Sequence, residues 1–242
     1  MSGRKSEREI EERSLKDLRE ILKDAKRWGL KILVIGGYAV RVYTVGYRYT
    51  KDIDMVVNKE ETGRFSALLK GLDYRVRRTK FGISGTKKVN GGDIKLHISI
   101  GEIYDESTNN RYPVSEDTFS NFKTLEVAGF YERDNLKFMI PVISTEELLI
   151  LKLMMKPRDK DIVDLIGLLT DKMQEIDVKT FVSDCRNAAV DGHIRKQILN
   201  FIGIMRKSDA ARYWFKLTGN KLEGKTQIKI IRYLRTLEES LK

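Results

Sequence analysis

Asp52 and Asp54 stand two residues apart in the run Asp52-Ile53-Asp54-Met55-Val56-Val57. On an extended strand such residues share a face, with Cα atoms about 7 Å apart. Two carboxylates at that separation can hold one or two Mg²⁺ ions, which take oxygen ligands and commonly fill their remaining positions with phosphate oxygens and water. Ions held in this way neutralise charge at the attacking and leaving oxygens of a transferred phosphoryl group. Asp93 heads the alternating run Gly92–Ile100 and is the candidate third carboxylate, because neighbouring strands lie only about 4.8 Å apart. Upstream, Gly36-Gly37 closes an apolar run, and glycines at the start of a helix let backbone N–H groups approach a phosphate where the helix dipole favours an anion. An Asp-x-Asp or a Gly-Gly is commonplace alone; their order and spacing together point to nucleotide chemistry.

Periodicity supplies the elements that must position these residues. Ile10, Leu15, Leu18, Ile21, Leu22, Ala25 and Trp28 mark one face of a packing helix over 7–28, closed by Gly29. Lys31–Ile35 reads as a buried strand entering a tight turn at Gly36-Gly37, and Tyr38–Tyr43 as a short helix. Asp52–Val57 is the next strand, with Ile53, Met55 and Val57 on the face opposite the carboxylates. Glu60–Leu72 has helical spacing and Tyr74–Phe81 alternates like a strand. Gly92–Ile100 presents Ile94, Leu96, Ile98 and Ile100 on one face and Asp93, Lys95, His97 and Ser99 on the other. His97 therefore shares Asp93's face, and reads as a hydrogen-bonded or solvent-facing strand histidine. Residues 105–120 read as loop around Pro113, and 122–142 as one or two further strands. From Ser144 almost every segment has helical period, with helices expected at 145–156, 159–171, 178–190, 193–206, 208–217 and 225–241. The expected fold is α/β: a catalytic domain over 1–143, with a mixed, twisted sheet of about five strands flanked by helices, then an α-helical domain over 144–242.

Composition narrows the classes. The chain has 242 residues, with a single cysteine and two histidines, which excludes an intramolecular disulfide and a four-ligand structural zinc site. No P-loop lysine motif, supported Ser-His-Asp set or H-E-x-x-H occurs. No apolar run approaches the roughly 18 residues of a membrane helix, and the charged N-terminus lacks the apolar stretch of a secretory leader. The expectation is a cytoplasmic protein with no membrane partner. Its 46 Lys+Arg against 35 Asp+Glu give a net charge of +11. Residues 192–242 hold twelve basic and four acidic residues, and Arg75, Arg77, Arg78, Lys80, Lys87 and Lys88 form a second basic group. Positive surface on that scale suits a polyanion, RNA above all, and exceeds what a small acceptor needs.

In Gly36-Gly37-Tyr38-Ala39-Val40, then Gly46-x-Arg48-x-Thr50-x-Asp52-Ile53-Asp54, then Asp93-Ile94-Lys95-Leu96, the chain resembles the DNA polymerase beta-like nucleotidyltransferases, most closely their minimal and AbiEii-type (MenT-like) branches. Ser144-Thr145-Glu146-Glu147-Leu148 with Lys152, then Arg158-Asp159-Lys160-Asp161-x-x-Asp164, is similar to the segment that follows the core in those branches. The resemblance implies transfer of a nucleoside monophosphate from a Mg²⁺-bound NTP to an acceptor hydroxyl, with pyrophosphate leaving and Mn²⁺ as the alternative ion. It implies that Asp52 and Asp54 hold the metals, that Asp93 binds one of them and orients or deprotonates the acceptor, and that Gly36 and Gly37 cradle the phosphates beside Thr50. Arg48 and Lys152 are the implied phosphate neutralisers, and the acid after Arg158 in the nucleotide site corresponds to Asp161 or Asp164, which spacing does not separate. It further implies the toxin half of a toxin–antitoxin pair, with an antitoxin partner; the basic surface makes RNA, in particular a tRNA end, the expected acceptor. The competing reading is a nucleotidyltransferase fold turned nucleic-acid or protein binding module with little catalysis.

Overall fold

A computed structural model of the chain describes residues 2–90, 92–131 and 136–242, which form two compact units. The first comprises Met1–Val42, Tyr49–Ile103 and Pro113–Ser144, and the second Tyr43–Arg48, Tyr104–Tyr112 and Thr145–Lys242.

Up to residue 144 the elements are α1 (Ser2–Arg27), β1 (Ile32–Ile35), α2 (Gly36–Tyr43), β2 (Ile53–Val57), α3 (Thr62–Gly71), β3 (Arg75–Thr79), β4 (Gly82–Val89), β5 (Gly92–Ile100), β6 (Glu102–Asp105), β7 (Asn110–Pro113), α4 (Glu116–Ser120), β8 (Lys123–Ala128) and β9 (Lys137–Val142). Seven strands join in the order β3-β4-β5-β2-β1-β9-β8, and β6 pairs with β7 as a separate ribbon. The sheet is mixed: β2 runs antiparallel to β1 and parallel to β5, while β1 runs parallel to β9. The apolar run of β1 is buried throughout, as a central strand covered on both faces must be. On β5, Ile94, Leu96 and Ile98 are buried while Lys95 and His97 are exposed, so the alternation read from sequence is the division between core and open face. The stripe of α1 buries Ile10, Leu15, Leu18, Ile21 and Ala25, and Gly29 closes the helix at φ +63°. Trp28, expected to pack, is instead 43% exposed.

The strand count departs from the expected five. β4, with two glycines and two lysines, shows no pattern of its own and takes its conformation from the neighbours it joins. A Cβ on Gly82 would lie 2.0 Å from the Ile98 carbonyl oxygen, so only glycine fits there. Lys87 turns inward to Asp17 of α1 at 3.2 Å. The region 105–120, expected as loop, contains β7 and α4, the latter capped by Ser115, which accepts from the Thr118 N–H. The glycine pair also differs from expectation: Gly36 opens α2 rather than forming a turn ahead of it.

The second unit carries α5 (Thr145–Met154), α6 (Asp159–Lys172), α7 (Val178–Asn187), α8 (Asp191–Arg206), α9 (Ser208–Thr218) and α10 (Gly224–Ser240). Every residue of α5 is buried, and it packs against α6, α7 and α8. Asp177 caps α7 and Gly219 closes α9 at φ +72°. Residues 43–48 dock on α6, where the Tyr47 hydroxyl donates to Asp171 Oδ1 at 2.8 Å. The Tyr47 ring sits over Gly167, where a Cβ would come within 2.8 Å of it, and meets Trp214 with centroids 4.6 Å apart. The single cysteine, Cys185, is buried in this unit. Among the described residues no helix is long and apolar enough to cross a membrane.

Candidate active site

Antiparallel pairing of β1 with β2 places the end of one strand beside the beginning of the other, and the register sets Ile35 opposite Asp54. Gly36, the next residue, is therefore delivered against the Asp54 carboxylate. A Cβ there would lie 2.1 Å from Asp54 Oδ2, and the backbone has φ +67°, so position 36 requires glycine on both counts. Gly37 meets Thr50 in the same way, its Cβ position lying 2.6 Å from Thr50 Oγ1. The first turn of α2, whose N–H groups lack helical partners, thus opens beside Asp54 and Thr50. Asp52 precedes β2, and its Oδ1 is buried without a hydrogen-bond donor among the described residues. A buried, unsatisfied carboxylate oxygen costs roughly 1–3 kcal/mol and fits a cation that the carboxylates would share. The backbone at this point is held from α1: Ser14 donates to the Lys51 carbonyl at 2.6 Å and accepts from the Tyr38 hydroxyl at 2.9 Å.

The third residue of the expected set falls elsewhere. In the parallel pair of β2 with β5, Asp54 stands opposite His97, not Asp93. Asp93 lies four residues earlier on the same face, about 13 Å along the strand, opposite Lys88 of β4. His97 Nδ1 is 3.0 Å from Asp54 Oδ1. Period-two alternation had put both residues on the correct face; only the pairing register separates them.

The open face also organises the basic residues. The register aligns Asp54, His97, Ser84 and Arg77 in one row across β2, β5, β4 and β3. A parallel row runs through Lys95, Thr86 and Arg75. Arg75, Arg77 and Lys95 are exposed. Three strand spacings put the arginines about 14 Å from the carboxylates.

Arg48, Lys152, Asp161 and Asp164 come together within the helical unit. Arg48 grips Asp164 at two points, Nε to Oδ1 at 2.6 Å and Nη2 to Oδ2 at 2.7 Å. Lys152 Nζ lies 2.7 Å from Asp164 Oδ2 and 3.1 Å from Asp161 Oδ1. Arg158 completes the network with Nε 2.7 Å from Asp161 Oδ2. Burial alone would raise both aspartate pKa values; Lys152, with Arg48 at Asp164 and Arg158 at Asp161, outweighs it and holds both below the ordinary carboxylate range. Burial opposes charge on Lys152 too, but Asp164 and Asp161 raise its pKa nonetheless. Spacing could not choose between the two acids, and the geometry gives both to Lys152. His193 Nε2 lies 2.9 Å from the Met154 carbonyl oxygen, a structural position.

A mixed sheet with paired aspartates beside a glycine-opened helix is the core of a nucleotidyltransferase, and that is the enzyme class of this protein. More particularly, the chain belongs to the AbiEii nucleotidyltransferase family: the family model described as "Nucleotidyl transferase AbiEii toxin, Type IV TA system" matches residues 20–226. Among solved structures the chain is similar to ANT(2″)-Ia in complex with adenylyl-2″-tobramycin, at 16% identity and TM-score 0.48 over 72% of this chain and 96% of that one. It is similar also to the lincosamide antibiotic adenylyltransferase LnuA with lincomycin bound, at 20% identity and TM-score 0.43 over 63% of this chain and 94% of that one. A CCA-adding enzyme is matched at 13% identity and TM-score 0.33 over 93% of this chain and 71% of that one. No curated protein matches the chain.

Proposed function

We propose that this nucleotidyltransferase transfers a nucleoside monophosphate from a divalent-metal-bound NTP to the end of an RNA, a tRNA end in particular, and acts as the toxin of a cytoplasmic toxin–antitoxin pair. The observation that carries the acceptor class is the open sheet face, on which the row from Asp54 and His97 runs outward to exposed Arg77, and the neighbouring row from Lys95 to exposed Arg75. A small acceptor at the carboxylates would not reach arginines about 14 Å away, whereas a strand of two or three nucleotides would.

A bound Mg²⁺ or Mn²⁺ supplies charge neutralisation at the reacting phosphate. Asp52 and Asp54 hold that cation, and the orphaned Asp52 Oδ1 supports this role. The N–H groups opening α2 at Gly36 and Gly37 receive the outer phosphates, with Thr50 fixing the turn against Gly37. Arg75 and Arg77 hold the acceptor backbone. Arg48, Lys152, Asp161 and Asp164 keep the nucleotide-site role that the family resemblance implies, as a preassembled charged group, and Lys152→Met tests it by nucleotide affinity. No metal is assigned to Asp93, which the register carries away from Asp54.

Incubating the protein with each α-³²P-labelled NTP, divalent metal and total RNA, beside Asp52→Asn/Asp54→Asn, tests the reading on a denaturing gel. Label is expected on a tRNA-sized band with the parent protein only. Label on protein would move the acceptor to a polypeptide, and equal label with the double variant would remove the aspartates from the chemistry. Arg75→Glu/Arg77→Glu is expected to lower the salt slope of RNA binding by about 1.4, two phosphate contacts at roughly 0.7 each.

A further inference from the structure

We propose that His97 is a direct ligand of the catalytic metal, joining Asp52 and Asp54 in the cation seat of this protein. The inference rests on the proposed function for the presence of the metal and on geometry for the ligand. Parallel pairing sets His97 directly across from Asp54, and the open face turns both side chains to the same side. Nδ1 and Oδ1 stand 3.0 Å apart. Adjacent ligands on an octahedral shell with bonds of about 2.1 Å stand about 3.0 Å apart, so the pair has the spacing of two neighbouring vertices.

The surroundings suit entry of an ion. The His97 side chain is 58% exposed and that of Asp54 is 29% exposed, so hydrated metal reaches both. The second Asp54 oxygen lies against Gly36, where a side chain would collide with the carboxylate. Among the described residues no three His, Cys, Asp or Glu side chains already converge as a complete metal cage. A seat of a few protein ligands that leaves its remaining positions to phosphate oxygens and water is the usual arrangement for Mg²⁺ and Mn²⁺ in phosphoryl-transfer sites. Exchanging a third carboxylate for imidazole changes the preference, because imidazole suits transition metals and carboxylate suits Mg²⁺. The seat therefore favours Mn²⁺ over Mg²⁺ more strongly than an all-carboxylate site.

Mn²⁺ added to the untagged protein, read by pulsed EPR for ¹⁴N modulation, tests the ligand without reference to turnover. Only two histidines are present, so the source of an imidazole signal is readily assigned. Modulation is expected in the parent and in His193→Gln. It is expected to vanish in His97→Asp, which retains Mn²⁺ through carboxylates, and His97→Gln should weaken Mn²⁺ at least about tenfold. Mn²⁺ bound without nitrogen modulation in the parent, modulation surviving in His97→Asp, or failure of the parent to bind Mn²⁺ overturns the assignment. The two readings separate cleanly: modulation without nucleotidyl transfer leaves the ligand and removes the proposed function, and transfer without modulation does the reverse.

Discussion

Each unit gathers carboxylates beside basic residues, and the two treat charge in opposite ways. In the helical unit Asp161 and Asp164 are almost fully buried, and Lys152, Arg48 and Arg158 neutralise them at 2.6–3.1 Å. In the sheet unit Asp54 is 29% exposed against a single histidine, and Asp52 keeps a buried oxygen without a donor among the described residues. The first arrangement satisfies itself and acts as structure whatever else it does. The second has the unsatisfied carboxylate oxygen that the proposed cation would take up. Residue type and spacing marked both sets as candidates, and only the partners of each oxygen tell stored charge from internally paired charge.

The same chemical change in both places separates the two arrangements most strongly. Asp164→Asn leaves Lys152 and Arg48 buried with less compensation and is expected to cost about 3–5 kcal/mol in thermal or denaturant unfolding. Asp52→Asn relieves an unpaired charge and is expected to change stability by less than about 1 kcal/mol while removing transfer. Equal losses would mean that the sheet aspartates are structural after all. A smaller effect is expected at Gly36, where alanine must adopt φ +67° and press a Cβ onto Asp54 Oδ2. The strain is worth about 1–3 kcal/mol, and Mn²⁺ affinity should fall with it; alanine tolerated in both assays would remove the close approach from the design.

Acid titration separates the charged groups of the helical unit by sign. Asp161 and Asp164 have pKa values lowered below 3.8, so their contribution is complete above 3.8 and is lost as the pH falls through the lowered values. Asp184 of α7 is pushed up to about 6 by burial, then by Glu147 and Glu146, so it favours the fold below 3.8 and that advantage is lost as the pH rises through about 6. Asp184→Asn should therefore stabilise the chain at pH 7 by a few tenths of a kcal/mol, about the scale of solvent-screened pairs, with the gain disappearing near pH 3. A variant no more stable than the parent at pH 7 would show that solvent fully screens the group.

Much of this was legible in the chain. The alternation in Gly92–Ile100 and the apolar run ending at Ile35 reflect burial that each strand's own residues decide. Asp54 was legible as a strand residue because strand geometry is local, whereas Asp52 falls just before β2 and Gly36 opens α2 where a turn was expected. β4 was not, because its residues fit only between β3 and β5, and its glycines are explained by the Ile98 carbonyl and by the Tyr74 and Leu96 side chains. The preference for Asp93 over His97 had the same origin: both lie on one face, and the choice depends on how β5 slides against β2, a fact that neither strand contains alone. Ser14 gave no signal either, since a serine on an amphipathic helix marks nothing until the Lys51 carbonyl is found above it.

β3 is the outermost strand on its side of the sheet, and Arg75, Arg77 and Arg78 stand exposed along it. An unpaired strand edge is a template for a second chain, and a row of guanidinium groups repels such an approach. The residues that suit a polyanion are thus also what keeps concentrated protein from joining edge to edge. Neutral substitutions there are expected to invite self-association, whereas glutamate preserves the repulsion and reverses the charge offered to a polyanion.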